Sequence, residues 1–293
     1  MNKVSIILLW WTRTPQLEEF CIACLESILK NTDYPNYEVI IIHNKSDEYE
    51  GGYIQKISNP KVRVVHNDTN VGFVVGNNQG IALADEHVLL LNNDTVVPKG
   101  WLSPLMETVA KEPKLGMVMP LQIHKGSKEY IESGNDVDKV IKDSEAHIAS
   151  RTKLQYGKLT SGNWLPLCAT IITRQLINAI GLLDEKFLMG GNEDVDYSWR
   201  AIDAGFDLHV CSSSHIFHYY GQSFHFLGGY SEVWVETGKY LLSKHNATQT
   251  VDNAVYRLKD KSIEWAHKNK DRMKPADYDL YLLEHERAQS NDT

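Results

Sequence analysis

The run Leu89-Leu90-Leu91 passes directly into Asn92-Asn93-Asp94, so an apolar strand ends in short polar side chains. A carboxylate at such a strand end can bind a hard divalent ion that keeps water or phosphate oxygens in its shell. An Asx turn capping the strand is the competing reading. A second acidic group, Asn192-Glu193-Asp194-Val195-Asp196, precedes a stretch with helical spacing and follows Met189-Gly190-Gly191. A helix N-terminus favours ionised carboxylates. An ionised carboxylate within reach of a hydroxyl can act as a general base. N-capping with solvated surface charge is the alternative.

Two histidines, His215 and His218, stand three residues apart ahead of Gly221. Either could give an imidazole nitrogen to a metal such as manganese, which tolerates mixed nitrogen and oxygen shells. The segment from Asn67 to Gly80, with Asn70, Gly72 and Asn77, reads as a loop entering a helix whose first amides suit diphosphate or ribose oxygens. It matches neither the phosphate loop of kinases nor the dinucleotide fingerprint of dehydrogenases.

These groups need a scaffold that brings strand ends together. Short apolar runs at Val4-Leu9, Val39-Ile42, Val62-Val65 and His87-Leu91 alternate with helical patterns at Leu17-Lys30 and Asn77-Ala84. That alternation predicts an α/β fold with a mostly parallel sheet covered on both faces. In such sheets ligands bind beyond the carboxyl ends of the strands. A helix at Trp101-Ala110 and a strand at Gly116-Met119 follow, and then a polar excursion from about Ile123 to Gly157. Order resumes at Leu165-Thr173, Gln175-Ile180, a helix through Tyr197-Ala204 and a strand at Leu208-Val210. Beyond Gly221 the pattern gives a Gly228-Gly229 hinge, a helix near Glu232-Lys244 and a charged helical tail from Ala254 to Ala288.

Composition narrows the classes. With 293 residues, 42% hydrophobic and 23% charged, the chain can bury a large core without disulfides. Its formal charge of −8 and its lack of a broad basic cluster argue against nucleic-acid binding. Cys21 and Cys24 form a C-x-x-C, but their helical spacing with Leu17, Phe20, Leu25 and Ile28 makes them core residues. The start lacks the pattern of a signal peptide, and no apolar run approaches the roughly 20 residues of a membrane span. A cytoplasmic location, with at most peripheral membrane association, is expected.

Taken in order from Val4 to about Ser223, the segments resemble family 2 glycosyltransferases of the GT-A fold, in particular the bacterial rhamnosyltransferase-like branch. The pieces are Cys24-Leu25-Glu26-Ser27, His43-Asn44-Lys45-Ser46-Asp47, Asn70-Val71-Gly72-Phe73 to Gly80, and Asn92-Asn93-Asp94-Thr95. Gly181-Leu182-Leu183-Asp184-Glu185, Glu193-Asp194-Val195-Asp196, and His218 with Gly221 and Ser223 complete the set. The resemblance implies a catalytic domain over 1–225, a nucleotide-sugar half over about 1–120 and an acceptor half over 121–225, followed by a helical extension over 226–293.

The resemblance also implies roles. Asp94 becomes the main acidic ligand of a divalent metal, Mn²⁺ or Mg²⁺, with His218 as its partner, and His215 is left structural. Asn92 and Asn93 lie against the donor phosphates. Asp194 is the expected base, with Glu193 beside it. The donor base falls to Thr12 and to His43-Asn44, where His43 replaces the family's aspartate. An imidazole can accept an imino N–H only through an unprotonated ring nitrogen. A UDP- or dTDP-sugar donor is the first expectation. Trp11 could line the base pocket or the core. Trp164, after Gly162-Asn163, could offer a flat face to a sugar or pack inward.

The implied reaction is an inverting, direct displacement that passes the sugar to a hydroxyl of a glycan, a lipid-linked or another acceptor. A covalent route through Glu193 or Asp196 stays open at this level. So do two other classes, a sugar nucleotidyltransferase and a non-catalytic glycan-binding protein that kept the fold. Trp234, Tyr240, Leu241 and Leu242 could cover an acceptor site, pack on the catalytic domain or form a homodimer interface.

Overall fold

The first strand, β1 (Val4–Trp10), is buried at every position but the half-buried Leu9 because both of its faces are covered. Val4, Ile6, Leu8 and Trp10 join one core cluster with Cys24, Leu25 and Ile28 of α1 (Pro15–Asn31). The alternate residues Ile7 and Leu9 face α2 (Phe73–Leu83), where Gly80 and Gly76 admit them: a Cβ on Gly80 would lie 2.4 Å from Ile7 Cγ2. A continuous apolar run is therefore what a strand between two helical layers requires. Helix α1 begins where Thr14 Oγ1 accepts the Leu17 N–H at 3.3 Å, with Pro15 in the first turn.

The computed structural model describes residues 2–49, 51–124, 138–142, 159–161, 164–219, 230–249, 255–257, 267 and 270. β1 pairs in parallel with β2 (Tyr37–Asn44) and β4 (His87–Leu91), and β2 with β3 (Val62–Asn67). The nine-stranded sheet runs β3-β2-β1-β4-β8-β6-β9-β5, with β7 (Leu159–Ser161) on β9. β8 (Ala169–Ile172) is antiparallel to both β4 and β6 (Leu115–His124), and β9 (Asp207–His218) is parallel to β6. Six strands thus share one direction, and the carboxyl ends of β1, β2, β3, β4 and β9 line one edge. The short β5 (Thr95–Val96) turns back antiparallel to β9. Helices α3 (Leu102–Lys111), α4 (Arg174–Ile180) and α5 (Glu193–Asp203) complete the layers. The α/β fold is as expected, but the sheet is mixed: its pairings are parallel from β3 to β4 and between β6 and β9, and antiparallel at β8, β5 and β7.

Four elements depart from the sequence pattern. α2 starts at Phe73 rather than Asn77, because Gly72, at φ 87°, caps it. α5 starts at Glu193, ahead of the apolar spacing that begins at Tyr197. β9 spans twelve residues instead of three; its polar run Ser212-Ser213-Ser214 hides it, and a register shift against β6 between Pro120 and Leu121 absorbs the irregularity. The apolar run from Leu165 contributes only Ala169–Ile172 as strand.

By its contacts the chain divides into two units, Met1–Tyr230 and Ser231–Thr293. In the second, α6 (Tyr230–His245) is followed by an antiparallel pair, β10 (Ala247–Gln249) with β11 (Val255–Arg257). The expected helical tail from Ala254 is therefore corrected at its start: Val255-Tyr256-Arg257 is a strand paired antiparallel with β10, with Thr248 opposite Tyr256. Most of the remaining tail, Gly228-Gly229 and most of the polar excursion lie outside the described residues. No helix among the described residues is long and apolar enough to cross a membrane.

Candidate active site

The turn after β4 is held from every side. The Asn92 N–H donates to the Cys168 carbonyl at 2.8 Å, the Thr95 hydroxyl donates to the Asn92 carbonyl at 2.8 Å, and the Tyr219 N–H donates to the Asp94 carbonyl at 2.9 Å. The C-x-x-C lies directly beneath it: the Asn93 amide reaches Cys21 Sγ at 3.3 Å, and Cys24 Sγ sits 3.6 Å from the Asn92 carbonyl. Burial pushes the Cys21 thiol up, and the Cys24 thiol to about 12. Both act as neutral supports of the turn rather than as thiolates.

Pairing of Thr95 with His218 across β5 and β9 brings the Asp94 carboxylate to the imidazole. Asp94 Oδ1 and His218 Nε2 are 3.0 Å apart with both side chains buried, and the Asn92 amide nitrogen is 3.5 Å from the same Nε2. Burial works against charge on His218, but the Asp94 carboxylate prevails and holds its pKa at about 10. The two groups are hydrogen-bonded to each other beside the β4 turn with a proton between them; a divalent ion such as Mn²⁺ that displaced that proton would find one oxygen and one nitrogen donor there. No group of three or more His, Cys, Asp or Glu side chains that could hold a metal gathers among the described residues. His215 sits three positions back along β9, on the opposite face from His218.

The acid cluster opens α5. Leu188 (φ 47°), Gly190, Gly191 and Asn192 (φ 67°) all take positive φ, and they turn the chain sharply into the helix. Asn192 makes no side-chain cap bond; its carbonyl accepts the Asp196 N–H at 3.0 Å. Glu193 is buried, and its Oε2 has no hydrogen-bond partner among the described residues. Burial and then the Asp194 charge raise the Glu193 carboxyl to about 8. Asp194 Oδ1 accepts the Val195 N–H at 2.8 Å, yet burial still lifts its carboxyl to about 6. The expected stabilisation of both anions by the helix terminus is therefore corrected: desolvation outweighs it and holds both carboxyls above their ordinary range.

Asp196 is fully buried and paired with Arg200 at 2.9 Å. Arg200 also donates to the Ile180 and Leu182 carbonyls, which fastens α5 to the loop after α4. Ser198 accepts the Leu165 N–H, so the segment behind Trp164 leans on α5, while Trp164 is itself 45% exposed.

The loop before α2 meets the loop before α5. The Val74 N–H donates to the Leu188 carbonyl at 3.2 Å, and a Cβ on Gly72 would lie 3.1 Å from that oxygen. One of the helix amides expected to face phosphate is thus already bonded. Asn70 Oδ1 accepts the Gly72 N–H in an Asx turn, and the Asn77 amide donates to the Phe73 carbonyl at 2.9 Å inside its own helix. Asn78, which the sequence reading did not single out, clasps Leu183 through both its amide and its carbonyl, so the Gly181-Glu185 segment is pinned to α2.

At the other end, Thr12 is buried with its hydroxyl 3.5 Å from the Tyr49 carbonyl, and Trp11 lies under the Arg13 guanidinium. Glu18, also unforeseen, gathers the Tyr49 hydroxyl and the Gly52 and Tyr53 amides. Asn44 Oδ1 accepts from Asn67, which exchanges bonds with Gln79. His43 Nδ1 faces His66 Nδ1 at 2.9 Å. The repeated His-Asn at the ends of β2 and β3 was the signal for this pair, since parallel register puts His43 beside His66 and Asn44 beside Asn67.

Comparison with known proteins agrees with this architecture. The chain is 25% identical over 232 residues to the O-antigen biosynthesis protein RfbC of Myxococcus xanthus, covering 74% of this chain and 17% of that protein. The chain spans between 17% and 32% of the length of the curated relatives it matches. Among solved structures, GalNAc-T7 with UDP, GalNAc and Mn²⁺ superimposes with a TM-score of 0.63 at 16% identity, over 83% of this chain and 48% of that one. The mannosyltransferase PcManGT from Pyrobaculum calidifontis, in complex with GDP-Man and Mn²⁺, gives 0.52 at 15% identity over 76% and 58%. These share the fold. Residues 12–166, more than half of the sequence, match the family Glycosyl transferase family 2, and the chain belongs to that family.

Proposed function

We propose that the chain transfers a sugar from a nucleoside diphosphate sugar to a hydroxyl of a glycan, lipid-linked or other acceptor, with inversion, in polysaccharide or glycoconjugate synthesis. The observation that carries this reading is the carboxyl pair at the start of α5, both members raised by burial, on a loop packed against Gly72. Asp194 accepts the proton of the acceptor hydroxyl as its oxygen attacks the anomeric carbon. Glu193, protonated and with a bare Oε2, donates a hydrogen bond to a sugar hydroxyl. Asp94 and His218 would hold a divalent cation, Mn²⁺ or Mg²⁺, whose chemistry there is to neutralise charge on the leaving diphosphate. Asn92 and Asn93 flank those phosphates, with the Asn70-Gly72 loop and Asn77 shaping the wall beside them. Thr12, His43 and Asn44 border the base, with UDP- or dTDP-sugars as first candidates. Trp164 offers its exposed face to a sugar ring.

The rhamnosyltransferase-like branch, a cytoplasmic place at the membrane face and a dimer through the second unit belong to the same proposal. The test is donor hydrolysis with and without Mn²⁺ in the wild type, Asp194→Asn and His218→Ala. The wild type should turn over only with metal. Asp194→Asn should lose 10²-fold or more, on the scale of general-base catalysis. His218→Ala should need far more Mn²⁺. Hydrolysis indifferent to all three changes would sink the reading.

A further inference from the structure

Asn78 sits inside α2, where asparagine is a poor helix former, and it is 4% exposed. Both ends of its amide are in use. Nδ2 donates to the Leu183 carbonyl at 2.9 Å, Oδ1 accepts the Leu183 N–H at 3.0 Å, and Glu185 Oε1 lies 3.3 Å from Nδ2. A backbone N–H can only donate and a carbonyl can only accept, so the amide has one possible orientation. Gly76 and Gly80, two positions before and after it, face Leu9 and Ile7 of β1, so Asn78 projects from the side of the helix away from the sheet. One turn earlier on that side, the Val74 N–H, which a helix start leaves without an intrahelical partner, donates to the Leu188 carbonyl at 3.2 Å.

Helix α2 thus grips residues 183–188 at both ends, around the short 3-10 turn Glu185–Phe187. Leu188 opens the positive-φ turn that passes through Gly190 and Gly191 to Asn192 and then to Glu193 and Asp194. Glycines have wide conformational freedom, so a turn built on them takes its course from its anchored ends. One anchor is α5, which Arg200 ties to the Ile180 and Leu182 carbonyls. The other is the grip of α2. The Gly72 loop closes on the same place: a Cβ there would lie 3.1 Å from both the Leu188 carbonyl oxygen and Met189 Sδ.

We infer that Asn78 is a positioning residue for the acid turn: it holds Asp194 in register with the loop of Asn70 and Gly72, so that one piece of structure sets the base against the donor. The inference rests on the proposed reaction and deepens it. A base accelerates the reaction only where it meets the acceptor hydroxyl in the transition state. Displacing it by about 1 Å can cost on the order of 10²-fold without weakening ground-state binding.

The test is Asn78→Leu, close in size but unable to clasp Leu183, alone and combined with Asp194→Asn, in hydrolysis of a panel of UDP-, dTDP- and GDP-sugars with Mn²⁺. Asn78→Leu should lower kcat about ten- to a hundredfold and leave KM for the donor within about twofold. Made in Asp194→Asn, the same substitution should cost less than about twofold, because the base it positions is gone. Equal losses in both backgrounds, or a loss confined to KM, overturn the inference and leave the proposed reaction standing. Asn78→Asp, which keeps the acceptor for the Leu183 N–H and loses the donor, carries the same cycle where Asn78→Leu does not fold. Hydrogen exchange reads the positioning with no donor present. The Val195 and Asp196 amides, bonded to Asp194 Oδ1 at 2.8 Å and to the Asn192 carbonyl at 3.0 Å, should exchange at least about tenfold faster in Asn78→Leu, with β1 and β4 unchanged. Unchanged protection at these two amides, or faster exchange throughout the sheet, overturns the inference. A wild type that hydrolyses no donor of the panel overturns the proposed reaction, and the exchange result then decides by itself whether Asn78 holds the turn.

Discussion

Glu193 has a consequence for stability that can be measured without knowing any substrate. Its carboxyl is raised from an ordinary 4.5 to about 8, first by burial and then by Asp194, so the folded chain keeps a proton that the unfolded chain releases. Between those values the folded state binds more protons, and stability must fall as pH rises. At roughly 1.4 kcal/mol per pH unit the interval sets a ceiling near 5 kcal/mol. Relaxation around the ionised group brings the expectation to about 2–4 kcal/mol. Glu193→Gln is nearly isosteric, and its amide oxygen can accept the same backbone N–H groups while leaving no charge to bury. The variant should match the wild type at pH 5 and exceed it at pH 8 by about 5–10 °C in Tm, at the few degrees per kcal/mol usual for chains of this size. Scanning calorimetry of both proteins from pH 5 to 8 measures the gap. A constant gap, or a variant less stable at pH 8, refutes the account. Adding Asp194→Asn to both should shrink the gap only partly, because burial is the larger cause.

The Asp194 carboxyl, raised to about 6, should impose a limb on kcat/KM. The base is active when ionised, so the rate should fall about tenfold from pH 7 to pH 5. An aspartate of ordinary pKa near 3.9 would leave the profile flat over that range, so a flat profile refutes the raised Asp194 carboxyl. A packing prediction concerns Gly80: a methyl there meets Ile7 Cγ2 at 2.4 Å, on a β-branched side chain with little freedom to yield. Gly80→Ala should destabilise by about 1–3 kcal/mol despite its better helix propensity, and Ile7→Ala should absorb part of that cost in the double variant. Additive losses by denaturant titration would mean that α2 simply moves away.

What could be read from the sequence follows from what each residue needs of its neighbours. β1 and β4 were legible because strands covered on both faces must be apolar throughout, and the polar residues that end them mark the crevice. β9 was not, because Ser212-Ser213-Ser214 breaks the pattern and only pairing with β6 and β7 makes a strand of it. The start of α2 was missed for a similar reason. Its start signal is a glycine at φ 87°, two residues before Val74, whose N–H donates to a carbonyl more than a hundred residues away.

The acid pair makes the same point for chemistry. Its position at a helix start is local and was visible, and by itself that position argues for two anions. That both are instead held above the ordinary carboxyl range follows from their burial, at the end of the positive-φ turn from Leu188 to Asn192. Backbone strain of that kind persists only where the surroundings over-determine it. Here the bonds of Leu188 to Val74, of Arg200 to the loop after α4 and of Asn78 to Leu183 supply that constraint. The supports lie on three different segments, so the raised carboxyls are a property of the fold and not of the Glu-Asp dipeptide. Loosening any one of them should move Glu193 back toward an ordinary carboxyl before it touches the residues that react.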